Sequence, residues 1–365
     1  MQDLEFALGP NPRLVLVTCL GDGQFLGWER PQVQLLAHDG TLAVEGHEEG
    51  NLLQVSGIMP LAVHLPAQGE VSLQNCTGDV LVAAVKSLEL AQHCGDVAVN
   101  QVRNAKVDAV NGDVTVQAGH SLQVATLVGD LAVRRMEGEV TAGNVNGDVL
   151  AQGITGRLAL DGVKGDVTVR EAAGGVEAHN ITGDLEFWGN LQQGHYTLEN
   201  HGDLRILLDA ASSVSLDLEA PGGDVQCDLE VLGGERSKHR FSGSLGQGTA
   251  VLKATAHRGS ILVRAKPSDD LRRRMEKDWE HAEARAALLE RRAQLVMEKA
   301  RLRGERLAEK VRVRSSRQIQ WHSPRGTPAT LKRNLDEERL AVLKMLSQGK
   351  INAEQAESLL KAMEE

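Results

Sequence analysis

The sequence predicts a mainly β fold: a β-solenoid (β-helix) with rungs of about 18 residues, followed by a long amphipathic α-helix and a short helical hairpin. The first observation is a tag, Gly-Asp-Val or Gly-Asp-Leu, that recurs at spacings of 17 to 21 residues. The second is the alternation of apolar residues after each tag, as in Val80 and Val82, which is the period of a strand with one buried face. The tags begin at Gly78, Gly95, Gly112, Gly129, Gly147, Gly165, Gly183, Gly202 and Gly223.

Composition supports the solenoid independently of the repeat. The chain has 38 Gly but only 4 Trp, 1 Tyr and 4 Phe in 365 residues, and a narrow coil filled with β-branched residues has little room for rings. No proline occurs in the sequence between Pro66 and Pro221, and proline would delete a backbone donor from a stacked ladder. An antiparallel meander is the alternative, because Asn111-Gly112 and Asn146-Gly147 are good hairpin turns. The nearly constant period favours the solenoid.

Composition also divides the chain into regions. The formal charge of −10 is the sum of −15 over residues 1–267, +8 over 268–333 and −3 over 334–365. Proline-marked, irregular strands at the start are expected of a cap that protects an open end of the solenoid. The predicted regions are an N-terminal cap over 1–70, the repeat region over 71–267, a basic amphipathic helix over 268–310, a linker over 311–333 and a helical hairpin over 334–365.

The helix over 268–310 carries apolar residues at alternating spacings of four and three. Two interpretations stay open: the helix lies along the solenoid, or it forms a dimeric coiled coil, for which its alanines are weak core residues. The candidate interaction positions are Met275, Trp279, Leu289, Val296 and Leu307.

The terminal hairpin pairs helices over 336–347 and 353–363 around Gly349, a candidate C-cap. A hairpin of about 30 residues is too small to bury a sizeable core alone, so we expect a second copy or another protein to complete it. The candidate interface is Leu343, Leu346, Ile351, Leu359 and Leu360.

Motifs for catalysis, cofactors and metals are missing from the sequence. It has no Walker A loop, GxGxxG, HExxH or CxxC, so we predict no enzyme activity, no cofactor and no metal site. The tag aspartates would stack one rung apart. One interpretation is a ladder of Ca²⁺ sites. The favoured interpretation is that each aspartate forms a hydrogen bond within its own turn. Four scattered cysteines and an N-terminus without a basic and apolar leader predict a cytoplasmic protein.

Partners are predicted from charge and hydropathy. No stretch reaches the roughly 20 apolar residues of a membrane span. The arginine-rich segment around 291–317 leaves contact with a membrane surface open, but its interleaved acids and the acidic body disfavour nucleic acid. We therefore expect protein partners, with a homo-oligomer favoured.

One rung, 183–203, is the candidate ligand-binding surface. It holds a local cluster of aromatic residues with histidines and glutamates nearby, including His179 and Glu199, which is the composition of a carbohydrate-binding surface. The candidate surface residues are Trp188, Tyr196, His195 and Glu186. A carbohydrate-binding or carbohydrate-active β-helix is thus the alternative to an interaction scaffold.

Two segments resemble known bacterial families. Val63-His64-Leu65-Pro66, the Gly-Asp-Val tags and the closing Gly259-Ser260-Ile261-Leu262-Val263 resemble the bacterial putative-adhesin family of β-solenoids, a domain of unknown function. The hairpin sequence from Glu338 to Leu360 is similar to SHOCT-like helical hairpins. The resemblances imply a non-enzymatic β-solenoid scaffold that associates with itself or with other proteins through its C-terminal helices.

Overall fold

The computed structural model describes residues 2–9, 11–37, 42–47, 51–58 and 61–266. The predicted helix, linker and hairpin lie outside these ranges. Within them every regular element is a β-strand. The strands are β1 (Gln2–Phe6), β2 (Arg13–Leu20), β3 (Gly23–Trp28), β4 (Val33–Ala37), β5 (Leu42–His47), β6 (Leu52–Ile58), β7 (Leu61–Pro66), β8 (Glu70–Leu73), β9 (Cys76–Thr77), β10 (Val80–Ala83), β11 (Ser87–Cys94), β12 (Val97–Asn111), β13 (Val114–Val128), β14 (Leu131–Met136), β15 (Val140–Val145), β16 (Val149–Ile154), β17 (Leu158–Val163), β18 (Val167–Ala172), β19 (Val176–Ile181), β20 (Leu185–Gly189), β21 (His195–Asn200), β22 (Leu204–Leu208), β23 (Val214–Glu219), β24 (Val225–Cys227), β25 (Arg240–Leu245), β26 (Ala250–Ala256) and β27 (Ile261–Ala265).

Each rung has a strand after the tag and a return strand that leads to the next tag. Both pair in parallel with their counterparts one repeat along the chain, for example Val80 with Val97 and Leu88 with Ala105. This parallel pairing confirms the mainly β solenoid and excludes the antiparallel meander. We call the strands after the tags the tag sheet and the others the return sheet. The tag sheet contains β7, β3, β10, β12 (first part), β13 (first part), β14, β16, β18, β20, β22, β27 and β24. The return sheet contains β6, β2, β8 with β9, β11, β12 (second part), β13 (second part), β15, β17, β19, β21, β26 and β23.

The interior is a stack of small aliphatic side chains. In one rung the inward residues are Val97, Val99, Val102, Ala105, Val107 and Val110, all buried. Most equivalent positions in neighbouring rungs carry Val, Leu, Ile or Ala, and these form one continuous core cluster. The exceptions beside this rung are His93, which pairs with Val110 and is buried, and Gly119, which pairs with Val102. The low aromatic content follows from this geometry, because each inward side chain has only the spacing between strands, about 4.8 Å, along the stack.

A chain of hydrogen bonds links the tag aspartates from rung to rung. The backbone N–H of Asp113 donates to Asp96 Oδ1 at 3.0 Å, and that of Asp130 donates to Asp113 Oδ1 at 2.9 Å. The same bond recurs at every rung from Asp22 through Asp203, which in turn accepts from the N–H of Ser260. The sequence predicts hydrogen bonds within single turns, whereas the structure shows that they join successive rungs.

The glycine before each tag aspartate is required by close backbone contact. A Cβ on Gly147 would lie 2.2 Å from the carbonyl oxygen of Gly129 in the preceding rung, and one on Gly95 would lie 2.2 Å from that of Gly78. Gly95 also has φ of +138°, which disfavours other residues. The repeat therefore selects glycine and aspartate together.

Both ends of the stack depart from the order of the chain. β2 and β3 lie between the rung of β6 and β7 and the rung of β8 and β10. At the other end, β26 and β27 lie between the rung of β21 and β22 and the rung of β23 and β24. The predicted cap over 1–70 thus contains an inserted rung. Likewise, the rung of Asp203 is followed in the stack by that of Ser260, whose side chain then accepts from the N–H of Asp224.

Antiparallel strands cover the outermost rungs. β4 pairs with β7 and β5 pairs with β6 at the N-terminal end, and β25 pairs with β23 at the other end. They satisfy backbone groups that an open edge would present to other molecules.

We predict that Gly147→Ala destabilises the protein by about 1 to 3 kcal/mol, because its Cβ meets a backbone carbonyl that cannot move aside. Gly143→Ala is the matched control: its Cβ would lie 3.3 Å from the nearest atom, so its cost stays below about 1 kcal/mol. Urea unfolding of the full chain measures both. Equal effects of the two substitutions would contradict this account of the glycine column.

We also predict that Asp113→Ala costs about 1 to 3 kcal/mol, because it removes the acceptor for the N–H of Asp130. Asp113→Asn keeps an oxygen at this position and loses less than half as much stability. The same unfolding measurement separates the two variants. If Asn is as damaging as Ala, hydrogen bonding across rungs is not what selects aspartate.

Candidate functional site

The rung over 183–203 brings together two of the four predicted surface residues. Trp188 Nε1 donates to Glu186 Oε1, and the Arg170 guanidinium lies 4.7 Å from the centre of the Trp188 ring. Arg205 lies 3.5 Å from Glu186 Oε2. Leu185 and Phe187 point inward on the same strand, so this cluster is on the outer surface of the tag sheet.

The other two residues lie elsewhere. Tyr196 is buried in the interior, edge-on to Phe187 at 5.7 Å between ring centres, and its hydroxyl donates to a backbone carbonyl such as that of Ala173 at 3.2 Å. His195 is exposed on the return sheet. The expectation of an aromatic platform at the surface is wrong for Tyr196 and Trp188, because both rings are buried. Tyr196 fills the interior of a rung whose tag-to-tag spacing, from Gly183 to Gly202, is one residue longer than that of the rung before it.

A polar groove runs across the outer surface of the return sheet, and we call this surface the polar face. It consists of two adjoining open cavities of about 570 and 500 Å³ that share Gln123 and Thr141. One continues toward Glu89 and Lys106, and the other toward His179. The outward side chains of the lining are acids, a lysine, a histidine, amides, hydroxyls and Ala159, because outward positions of the return strands are mostly polar. Inward residues such as Leu88 and Leu160 contribute apolar atoms between them.

Glu199 joins two histidines at one end of the polar face. Its Oε2 lies 3.0 Å from His179 Nδ1, and its Oε1 lies 2.7 Å from His257 Nε2. The His257 ring also lies 5.2 Å from that of His201, centre to centre. Hydrogen bonds from His257 and His179 lower the pKa of Glu199 below its usual 4.5. The sequence indicates the enrichment around 179–201, but His257 comes from the inserted rung and is missed.

Within the described ranges no group of three His, Cys, Asp or Glu residues is placed to hold a metal ion. The tag carboxylates are engaged by backbone N–H groups of neighbouring rungs. The same part of the chain contains no helix that is long and apolar enough to cross a membrane.

A family model described as Toastrack DUF4097 matches residues 29–264. The chain belongs to this family. A model described as a SHOCT-like domain matches residues 337–365, outside the described residues. Both resemblances noted in the sequence are confirmed. A search of curated proteins found no match.

Two solved structures are similar to this Toastrack chain at low identity. A crystal structure titled as a putative cell adhesion protein from Clostridium sporogenes ATCC 15579 is 10% identical, with 73% of this chain and 99% of that chain covered and a TM-score of 0.17. One titled as a putative adhesin from Bacteroides fragilis NCTC 9343 is 12% identical, with 72% and 96% covered and a TM-score of 0.23. At these values neither structure indicates what this chain binds.

Glu199 gives a pH-dependent prediction. Because its folded pKa is lowered, its contribution to stability is present above its unfolded value of about 4.5 and is lost as pH falls through the folded pKa. We expect Glu199→Gln to lose less stability than the parent between about pH 5 and pH 3. Urea unfolding across this range tests it, with Glu219→Gln, at an exposed position of β23, as control. Parallel pH profiles for Glu199→Gln and the parent would refute the role of the histidine contacts.

Proposed function

We propose that this protein is a non-enzymatic bacterial interaction scaffold. The observation that carries the proposal is the continuous polar groove on a stack whose two ends are covered by antiparallel strands. Covered ends disfavour growth of the stack by adding further copies edge to edge, so contacts between molecules use side surfaces or other parts of the chain.

Two features support a binding role over catalysis. The Toastrack description names no activity. The polar face is open and lined by dispersed polar groups, whereas a catalytic site concentrates a nucleophile, a base and an orienting group within hydrogen-bond reach. The carbohydrate alternative has lost its main support, because Trp188 and Tyr196 are buried.

In this proposal the C-terminal hairpin mediates self-association, and the polar face stays open to a protein partner. The sequence predicts a short amphipathic hairpin here, and its SHOCT-like match over residues 337–365 lies outside the Toastrack match. We propose that the scaffold acts in the cytoplasm as a homo-oligomer and that it uses no cofactor.

Light scattering of the full chain tests self-association. We expect a mass of at least twice 39.3 kDa, and we expect Leu343→Asp with Leu359→Asp to reduce it to that of one chain, because charge in an apolar helical interface is not tolerated. Lys344→Asp with Lys361→Asp is the matched control in the same two helices and keeps the larger mass. A full chain of 39.3 kDa at every concentration would reject the self-association arm of the proposal.

A further inference from the structure

The outer surface of the tag sheet carries a row of residues that are buried although they point away from the interior. Ala98 lies between Val97 and Val99, which are both in the interior core, so its side chain points outward. Its exposure is 0%. We call the row that contains it the buried stripe: Leu81 (7% exposed), Ala98 (0%), Thr115 (7%), Ala132 (5%) and Leu150 (1%).

The buried stripe is continuous, because its members are cross-strand neighbours. Leu81 pairs with Ala98, Ala98 with Thr115, Thr115 with Ala132, and Ala132 with Leu150. Its four apolar residues are outside the interior core cluster.

The polar face shows how exposed outward side chains are where nothing covers the sheet. The Glu89 and Lys106 side chains are 44% and 48% exposed there. The tag sheet instead places small or apolar side chains outward and hides them. Small residues in a flat row allow a helix backbone to approach closely, as helix-on-sheet packing requires.

We propose that the segment 268–310 of this same chain packs as a helix along the buried stripe. The chain leaves the described structure at Lys266, directly after β27, which is itself a strand of the tag sheet paired with β22. The segment therefore starts on the sheet that carries the stripe. From β27 the tag sheet extends through β22 toward β10, so a helix that follows this sheet runs in that direction.

Length and side-chain size fit this occupant. From β27 to β10 the tag sheet spans about 38 Å at about 4.8 Å per strand. The apolar face from Met275 to Ala300 also spans about 38 Å at 1.5 Å per residue. That face contains several alanines, which make a weak coiled-coil core but suit close packing on Ala98 and Ala132. The same features favour this segment over a second copy of the chain as occupant.

Thiol labelling in the full chain tests the proposal. The reporter is Ala98→Cys in a background in which Cys19 and Cys94 are both replaced by Ala, so that the two remaining native thiols, Cys76 and Cys227, are buried. Ala132→Cys is a second reporter in case the first perturbs folding, and Thr141→Cys on the polar face is the control position. The reaction with N-ethylmaleimide is followed by mass spectrometry, and circular dichroism verifies the β content of each variant.

We expect both stripe reporters to react at least about ten-fold more slowly than Thr141→Cys, since labelling requires the covering segment to open. Leu289→Asp with Val296→Asp should remove this protection and leave Thr141→Cys unchanged. Ala284→Asp with Arg291→Asp, on the opposite side of the predicted helix, should preserve it.

Three results would overturn the proposal. They are stripe reporters that react as fast as Thr141→Cys in the unsubstituted segment, protection that survives Leu289→Asp with Val296→Asp, and protection that disappears on dilution. The last would assign the stripe to a second copy. Because the hairpin substitutions leave residues 268–310 unchanged, failure of this proposal is distinguishable from failure of self-association.

Discussion

The hydrogen bond from the backbone of one tag aspartate to the carboxylate of the preceding one is the constraint on which the rest of the stack depends. It fixes the turn of each rung against its neighbour, as between Asp113 and Asp130. The contact brings backbones so close that the preceding residue must be glycine, as at Gly147. With the turns held in register, inward side chains such as Val97 and Val114 remain stacked above one another along the whole coil.

The same kind of hydrogen bond also joins the inserted rungs, which lack the Gly-Asp-Val or Gly-Asp-Leu tag. Asp22 joins the aspartate column at one end, and Ser260 replaces an aspartate at the other. An inserted rung has a neighbour on each side, so the N-terminal and C-terminal parts of the described fold are each held by two ladders of hydrogen bonds. The outermost rungs come from internal parts of the chain and are covered by antiparallel strands.

The two outer surfaces of the coil differ because only the inward positions are set by the repeat. The return sheet presents the polar groove and the contacts of Glu199 with His179 and His257. The tag sheet presents the buried stripe and, farther along, the cluster of Trp188 and Glu186. The proposed scaffold function uses the open polar face, and the proposed position of the segment 268–310 uses the buried stripe on the other sheet. This division of surfaces links the proposed scaffold function to the proposed position of the segment 268–310.

The sequence by itself predicted the coil, its period and its inward residues, because a rung is local: its turn, its alternation and its length all lie within about 18 consecutive residues. The parallel pairing that excludes the antiparallel meander came from the tertiary structure. The sequence could not determine the order of the rungs at the two ends, because Gly21-Asp22 and Gly259-Ser260 depart from the tag and pair with residues that are far away in the chain. It also misplaced Tyr196, which is an inward residue of β21, and Trp188, which points outward and is nevertheless buried. Alternation separates inward from outward positions but does not tell which outward positions are covered. Burial of an outward residue depends on what packs over the sheet, and only the tertiary structure decides that.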